Sequence, residues 1–323
     1  MRTFAVLLVM AMLFTAGARA GAPRFVIDDE EYVEKVTDAS AKLLQGGKLK
    51  SSDSLRAQVR NGSLPLKLAL ESHEKLAPPD LCDRLRQSTL AVGSYYKCPD
   101  CGEWHFNSSA GFVVGEGGII CTCCHVAEAA DEGVKESYLI AADAAGRVFP
   151  VQSVLAADRD SDTCFVKIDA PGLKPLPLRP GVRAGERVYC LSHPGGYFFM
   201  FTQGMVARIN LKRNEVFDEH GHTNGMLTRP ILFLNVTAEF APGSSGAPIA
   251  DEAGNVVGQV ASIADAGETE VGTTNAPPSP SVPVRFCTAT EEILRLTQAN
   301  TLAAREPATA TVPAVRSRLR SPH

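Results

Sequence analysis

Beyond its first 20 residues, the sequence lacks any apolar run long enough to span a bilayer. It also lacks an excess of positive charge, since its 323 residues carry a formal net charge of −4. A mildly acidic chain gains no affinity from a phosphate backbone, so nucleic acid is not an expected partner. No internal repeat is visible. Apolar residues still make up 45% of the chain, which is enough for a core and excludes wholesale disorder.

The N-terminus has the pattern of a secretory signal peptide. Arg2 precedes an apolar run of about a dozen residues, and Ala18-Arg19-Ala20 fits a cleavage site. We expect residues 1–20 to be removed and the protein to be periplasmic or secreted, with no membrane insertion afterwards. Because export leads to an oxidising compartment, we expect most of the nine cysteines to pair as disulfides.

Residues 21–87 form a predicted helical extension. The apolar spacing of Tyr32, Val33 and Val36 predicts a helix that stops at Gly46-Gly47. Further helices are predicted near 53–60, around 65–76 and over 79–88. We expect the rest of the chain to fold without residues 21–86. The tail, 301–323, is rich in Ala, Pro, Thr and Arg and is predicted to be disordered.

From residue 88 to about 300 the sequence is β-rich. Short strand-like segments such as AGFVVG, DTCFVKI, ERVYCLS and VVGQVAS alternate with turn residues, which is typical of a sandwich or barrel. One helix is predicted after the strands, over 288–300, where Thr288 and Glu291 form a capping-box pattern.

Three residues in this region could form a nucleophilic site. Ser245 lies in the stretch Gly243-Ser244-Ser245-Gly246, whose glycines permit a tight turn that exposes a hydroxyl. The same four residues also make an ordinary flexible turn. His125, just after the segment GIICTC, supplies a base, and Asp162 supplies a group that orients it.

The segments around these residues resemble those of trypsin-like serine proteases, and of their bacterial HtrA branch in particular. They read SSAGFVVGEGGIICTCCHV, DRDSDTCFVKI, YCLSHPGGYFFMFTQGMVARI and APGSSGAPIADEAGNVVGQVAS. The resemblance spans about 88–300 and implies two packed six-stranded β-barrels with the site between them. The fold class is therefore mainly β and chymotrypsin-like, with the helical extension before it and one helix after it.

The resemblance also implies roles for individual residues. Ser245 would be the nucleophile, His125 the general base and Asp162 the residue that orients it. The backbone N–H groups of Gly243 and Ser245 would form the oxyanion hole. The implied reaction is hydrolysis of peptide bonds in protein or peptide substrates through an acyl-enzyme, with no cofactor and no metal.

Two departures from the family pattern bear on regulation. Ser244 stands where digestive trypsins have an aspartate that pairs with a freshly cut N-terminus, so that route of activation is not expected here. No PDZ domain is expected either, because a low-complexity tail follows residue 300.

Substrate preference could be set by residues near the nucleophile. Glu239 precedes Ser245 by six residues. In the trypsin-like folds that the chain resembles, this offset often faces the base of the specificity pocket, where a carboxylate would favour a basic P1 residue. Alternatively, Glu239 is a solvated strand-end residue and Phe240, Met205 and Ala261 make the pocket apolar.

The remaining cysteines admit several interpretations. Cys98 and Cys101, followed by His105, look like half of a zinc site, but a second matched pair is missing, so a disulfide is favoured. Cys121 and Cys123 are expected to share one strand face and to fill core positions. Two rival functions follow: a catalytically silent trypsin-like domain that binds peptides or proteins, and a zinc-stabilised interaction module.

Overall fold

Two closed six-stranded antiparallel barrels make up most of the molecule. The structure is a computed structural model, and it describes residues 24–129, 133–213, 227–266 and 282–297. The first barrel has the strand order β1-β2-β3-β6-β5-β4 and the second β10-β11-β12-β9-β8-β7. The chymotrypsin-like fold class expected from the sequence is confirmed. The proposed leader, 1–20, and the tail, 301–323, lie outside the described residues.

The strands of the first barrel are β1 (Thr89–Lys97), β2 (Trp104–Gly115), β3 (Ile119–Thr122), β4 (Ser137–Ala142), β5 (Val148–Asp158) and β6 (Thr163–Ile168). Those of the second are β7 (Arg187–Ser192), β8 (Met200–Lys212), β9 (Ile231–Val236), β10 (Pro248–Ala250), β11 (Val256–Ala266) and β12 (Val282–Ala289). The helices are α1 (Asp29–Gln45), α2 (Ser52–Arg56), α3 (Pro78–Arg86), α4 (Cys124–Glu128) and α5 (Thr290–Leu296). Among the described residues, none of these helices is long and apolar enough to cross a membrane.

Helix α1 forms where the apolar spacing predicts it. Asp28 caps its N-terminus by accepting a hydrogen bond from the Glu31 N–H at 3.1 Å, and the helix ends at Gly46. Tyr32 and Val36, one turn apart, are buried against the barrels. The extension therefore packs on the barrel region through an apolar face of α1.

The helix predicted around 65–76 is absent, and this prediction was wrong. The segment runs extended along the second barrel, where the Leu76 N–H donates to the Glu252 carbonyl at 2.8 Å. Asn255 also pairs with the backbone of Ser72 at 2.7 and 2.8 Å. These pairings satisfy backbone groups that a helix would bond internally. Pro78 is the first residue of α3, since proline fits the first helical turn.

The capping box predicted at Thr288 is also wrong. Thr288 belongs to β12, and Ala289 is the N-cap of α5, with no side-chain cap. The Thr288 hydroxyl instead donates to the Ser161 carbonyl at 2.9 Å, and Glu291 accepts from the Gly181 N–H at 2.8 Å. Both side chains of the expected capping box therefore form tertiary hydrogen bonds instead of capping α5.

The cysteines do not form the expected disulfides. All nine lie in the described part of the chain, and each carries a free thiol. Six are buried within the barrels, where a thiol packs as a small apolar group: Cys121, Cys123, Cys124, Cys164, Cys190 and Cys287.

Candidate active site

His125 and Asp162 form a hydrogen-bonded pair. His125 lies in α4, directly after β3, and Asp162 lies in the turn between β5 and β6. Nδ1 of His125 is 2.6 Å from Oδ2 of Asp162, and the His125 backbone N–H donates to Oδ1 at 3.0 Å. With Nδ1–H donated to the carboxylate, Nε2 is the nitrogen left to accept a proton.

The backbone at Asp162 is held in an uncommon conformation. Its φ is +51°, in the left-handed region that aspartate tolerates better than most residues. The Cys124 N–H and the Gln259 side-chain amide both donate to the Asp162 carbonyl, each at 3.3 Å. These contacts fix the turn that aims the carboxylate at His125.

Ser245 sits in a loop that is bonded to both barrels. Its carbonyl accepts from the Ala110 N–H of β2 at 2.8 Å, and the next residue, Gly246, donates to the Val260 carbonyl of β11 at 2.9 Å. Ser244 is fully buried, and its hydroxyl donates to that of Ser192 at 3.1 Å. The loop is therefore positioned at the junction of the barrels, as the fold places catalytic loops.

The glycines that flank Ser245 are required by the backbone. Gly243 and Gly246 have φ values of +93° and +85°. A Cβ at Gly243 would lie 2.6 Å from the His193 carbonyl, and one at Gly246 would lie 2.2 Å from the Ala110 carbonyl. Only glycine fits at either position. Ala247 is not among the residues with positive φ, so its backbone conformation does not require glycine.

Two backbone N–H groups of the Ser245 loop, those of Gly243 and of Ser245 itself, donate to no acceptor within the described residues. Backbone N–H groups that converge on a reacting oxygen stabilise a developing oxyanion. The role of these two groups as an oxyanion hole stays a prediction.

The two residues predicted to shape specificity lie in different surroundings. Glu239 is exposed, and its carbonyl accepts from the Thr202 hydroxyl at 2.7 Å. Ala261 is buried at a bulge in β11, where the register with β12 shifts between Val260 and Ser262. A bulge re-aims a side chain beside a site. The roles of both residues in specificity stay predictions.

Gln259 is a residue that the sequence did not single out. It is fully buried, accepts from the Cys121 thiol at 2.9 Å and donates to Cys123 Sγ at 3.1 Å. Both cysteines thus face the same partner in the second barrel. Burial raises the pKa of each thiol well above its usual value, and at Cys123 the Asp162 carboxylate adds to this effect. Both thiols therefore stay neutral. The one sequence signal that could have indicated Gln259 is the presence of a glutamine within an apolar strand.

A cavity of about 850 Å³ adjoins the loop before Ser245. Its walls come from α1, from the start of β2 and from the loops at Gly195 and Gly243. The helical extension therefore contributes directly to the wall of a cleft next to the candidate nucleophile.

Among the residues that the structure describes, two groups of side chains have the spacing of metal ligands. Cys123, His125 and Asp162 form one group, but its histidine and carboxylate bond each other as described above. Cys98, Cys101 and His105 form the other, at the far end of the β1–β2 hairpin.

Comparisons with known proteins agree with this geometry. Residues 109–258 match the model of the trypsin-like peptidase domain. "Protease Do-like 1, chloroplastic" from Arabidopsis thaliana is 28% identical over 156 residues, which cover 47% of this chain and 32% of that protein. A "Probable periplasmic serine endoprotease DegP-like" from Pseudomonas fluorescens is 30% identical over 152 residues, covering 46% of this chain and 28% of that protein.

A solved structure supports the fold. The chain described as "HtrA-type protease AlgW with decapeptide" superposes with a TM-score of 0.50 at 19% identity, covering 69% of this chain and 66% of that one. The chain spans about a third of the length of the curated relatives it matches.

Proposed function

We propose, from the premise that this chain carries a trypsin-like peptidase domain of the HtrA-like kind, that it is an exported serine endopeptidase. The observation that carries the proposal is the pairing of His125 with Asp162 at one side of a barrel junction where the Ser245 loop lies. One relative is named as a probable periplasmic serine endoprotease and another as a chloroplastic protease. The pattern of residues 1–20 supports export.

The proposed mechanism assigns one step to each residue. Ser245 Oγ attacks the scissile carbonyl carbon while His125 Nε2 takes the hydroxyl proton. Asp162 accepts the Nδ1–H bond, which holds the ring and stabilises the imidazolium that forms. The N–H groups of Gly243 and Ser245 bind the oxyanion.

The reaction then proceeds in two stages. In the first, the C–N bond breaks as His125 gives the proton to the leaving amine, which leaves an acyl-enzyme on Ser245. In the second, His125 deprotonates a water molecule that adds to the ester carbonyl. The C–O bond to Ser245 then breaks, the acid product leaves, and His125 returns the proton to Ser245 Oγ.

Protein or peptide chains are the proposed substrates. The cavity of about 850 Å³ beside Gly243 is large enough for several side chains of an extended peptide. The AlgW structure carries a decapeptide, which is a property of that protein. We propose that Glu239 favours a basic P1 residue, with Ala261 at the pocket wall.

A catalytically silent peptide-binding domain is the second candidate. It would use the same cleft without an activated serine. The pairing of His125 with Asp162 at 2.6 Å favours the enzyme, because a binding domain has no need to orient that imidazole.

The test is labelling of the purified protein with a fluorophosphonate probe. We expect wild-type labelling to be lost in Ser245→Ala and His125→Ala, and kcat to fall about 10⁴-fold in Asp162→Asn. Asp162→Asn suits this position because asparagine also tolerates positive φ. The intact mass reports at the same time whether residues 1–20 have been removed.

Ser54→Ala is the control, since it removes an exposed hydroxyl in α2 and should keep labelling. If folded wild-type protein is not labelled but still binds peptides, the silent domain is correct and the protease proposal fails.

A further inference from the structure

We propose that Cys98, Cys101 and His105 form a binding site for a thiophilic divalent cation, zinc in the first place, at the tip of the β1–β2 hairpin. The two Sγ atoms and a ring nitrogen all lie within 4.8 Å of one another. Cys101 Sγ is 3.1 Å from His105 Nε2. Such a cluster fits one ion at its centre after small side-chain adjustments.

The hairpin turn directs both sulfur atoms to one side. The Cys98 N–H donates to the Glu103 carbonyl at 2.8 Å, and the Gly102 N–H donates to the Cys98 carbonyl at 3.0 Å. Gly102 has a φ of +74°, which lets the chain reverse.

His105 approaches the cysteines from the adjacent strand. It lies in β2 opposite Tyr96 of β1, and the two rings are 5.9 Å apart. The ladder therefore fixes the side of the hairpin on which the imidazole stands. The turn supplies the two cysteine ligands, and strand β2 supplies the histidine.

Metal binding explains this cluster better than a disulfide does. A Cys98–Cys101 bond would use two of the three groups and leave His105 without a role. Cys82 is the one other cysteine that is not buried, and it joins no comparable cluster within the described residues. The association of two accessible thiols with a histidine is thus particular to this hairpin.

The donor set points to zinc. Two thiolates and one imidazole suit Zn²⁺, whereas Mg²⁺ and Ca²⁺ prefer oxygen. Cys101 and His105 are exposed, so water can complete a tetrahedral shell. On binding, both thiols release their protons to solvent and the imidazole binds as the neutral base.

The ion would hold the turn end of the hairpin. From His105, β2 continues through Phe106, Asn107 and Ser108, which line the cleft, and the Ser108 carbonyl lies 3.4 Å from the Cβ position of Gly243. A fixed strand start therefore supports the cleft wall, and the metal takes no part in the peptidase reaction. The inference does not depend on the proposed function.

The experiment measures metal in the full-length protein, purified without a metal-affinity tag and dialysed after incubation with zinc. We expect about one zinc ion per chain by elemental analysis. Cys98→Ser and Cys101→Ser should each lose most of it, and His105→Ala should weaken binding at least about tenfold. Cobalt in place of zinc should give the visible bands of a tetrahedral thiolate site.

Cys82→Ser is the matched control and should retain the ion. The proposal is overturned if wild-type protein holds no zinc, if zinc persists in the Cys98→Ser/Cys101→Ser double variant, or if the intact mass shows a Cys98–Cys101 disulfide. Circular dichroism checks that each variant is folded. Because none of these readouts needs a reactive serine, failure here is distinguishable from failure of the peptidase proposal.

Discussion

His193 is the residue whose burial has the clearest consequence for stability. It is fully buried against Phe198 and Phe199, and its Nδ1 accepts the Phe199 N–H at 3.0 Å. Burial disfavours the charged imidazolium and lowers the pKa of His193 from 6.5 to about 4. The neutral ring is therefore part of the folded state.

This shift predicts that acid weakens the fold. Below pH 6.5 the unfolded chain takes up a proton at His193 that the folded chain refuses until about pH 4, so stability falls through that window. Between pH 7.5 and pH 5 the loss from this group should be roughly 2 kcal/mol. Urea unfolding at the two pH values measures it.

His193→Asn retains an acceptor for the Phe199 N–H and removes the titration. We expect this variant to be less stable at pH 7.5 but to lose about 2 kcal/mol less on acidification than wild type. The same substitution at exposed His73 is the control. An unchanged acid loss in His193→Asn would contradict the assignment.

Single residues also show how far the sequence could lead. His125, Asp162 and Ser245 were singled out from glycines, motif order and strand edges, and the structure brings the first two into hydrogen-bond contact. The catalytic roles of all three residues stay predictions. The roles of Gln259 and His193 were not predictable, because they come from burial between distant strands. The disulfide prediction was wrong because it rested on export to an oxidising compartment, whereas six of the nine thiols are buried as packing groups.

At the scale of elements, an ionic network ties the Asp162 turn to the second barrel. Arg229 pairs with Asp158, at the end of β5, and with Glu292 of α5 at 2.6 Å. The Glu292 side chain is only 4% exposed. The sequence could not reveal this network, because the three residues are far apart along the chain.

Removing Arg229 should leave a buried carboxylate without its main cation. We expect Arg229→Ala to reduce the free energy of unfolding by roughly 2–4 kcal/mol. Arg295→Ala, which removes a mostly exposed arginine 3.3 Å from the same carboxylate, should change it by less than about 1 kcal/mol. Denaturant unfolding compares the two, and equal effects would show that burial of Glu292 is not the deciding factor.

Helices and strands were predicted best where the apolar pattern of the segment itself determines its structure. Helix α1 follows from its apolar spacing, and strands such as β1 and β6 follow from short apolar runs that the barrels bury. The helix prediction for 65–76 was wrong because the hydrogen-bond partners of this backbone, Glu252 and Asn255, lie in the second barrel. Local helix propensity does not report such distant partners. The capping-box prediction at Thr288 was wrong for a similar reason, since the Thr288 hydroxyl donates to the Ser161 carbonyl instead of capping α5.

The N-terminal extension and the two barrels share one cluster of buried apolar residues. Val36, Leu81 and Leu85 are fully buried in a cluster that also contains Phe165 of the first barrel and Leu191 of the second. The sequence led us to expect a barrel region that folds alone. These contacts favour the opposite outcome, because the extension covers apolar surface that belongs to both barrels.

We therefore expect a chain that lacks residues 21–86 to lose cooperative unfolding. Truncating even one side chain of this interface, as in Leu85→Ala, should cost roughly 2–5 kcal/mol, and deletion removes the whole interface. Since a domain's net stability is only about 5–15 kcal/mol, that loss is decisive. Leu70→Ala is the control, because Leu70 is 91% exposed in the same extension and should change stability by less than about 0.5 kcal/mol. A shortened chain with a sharp urea transition would instead establish the barrels as an independent unit and reduce the extension to a cleft wall.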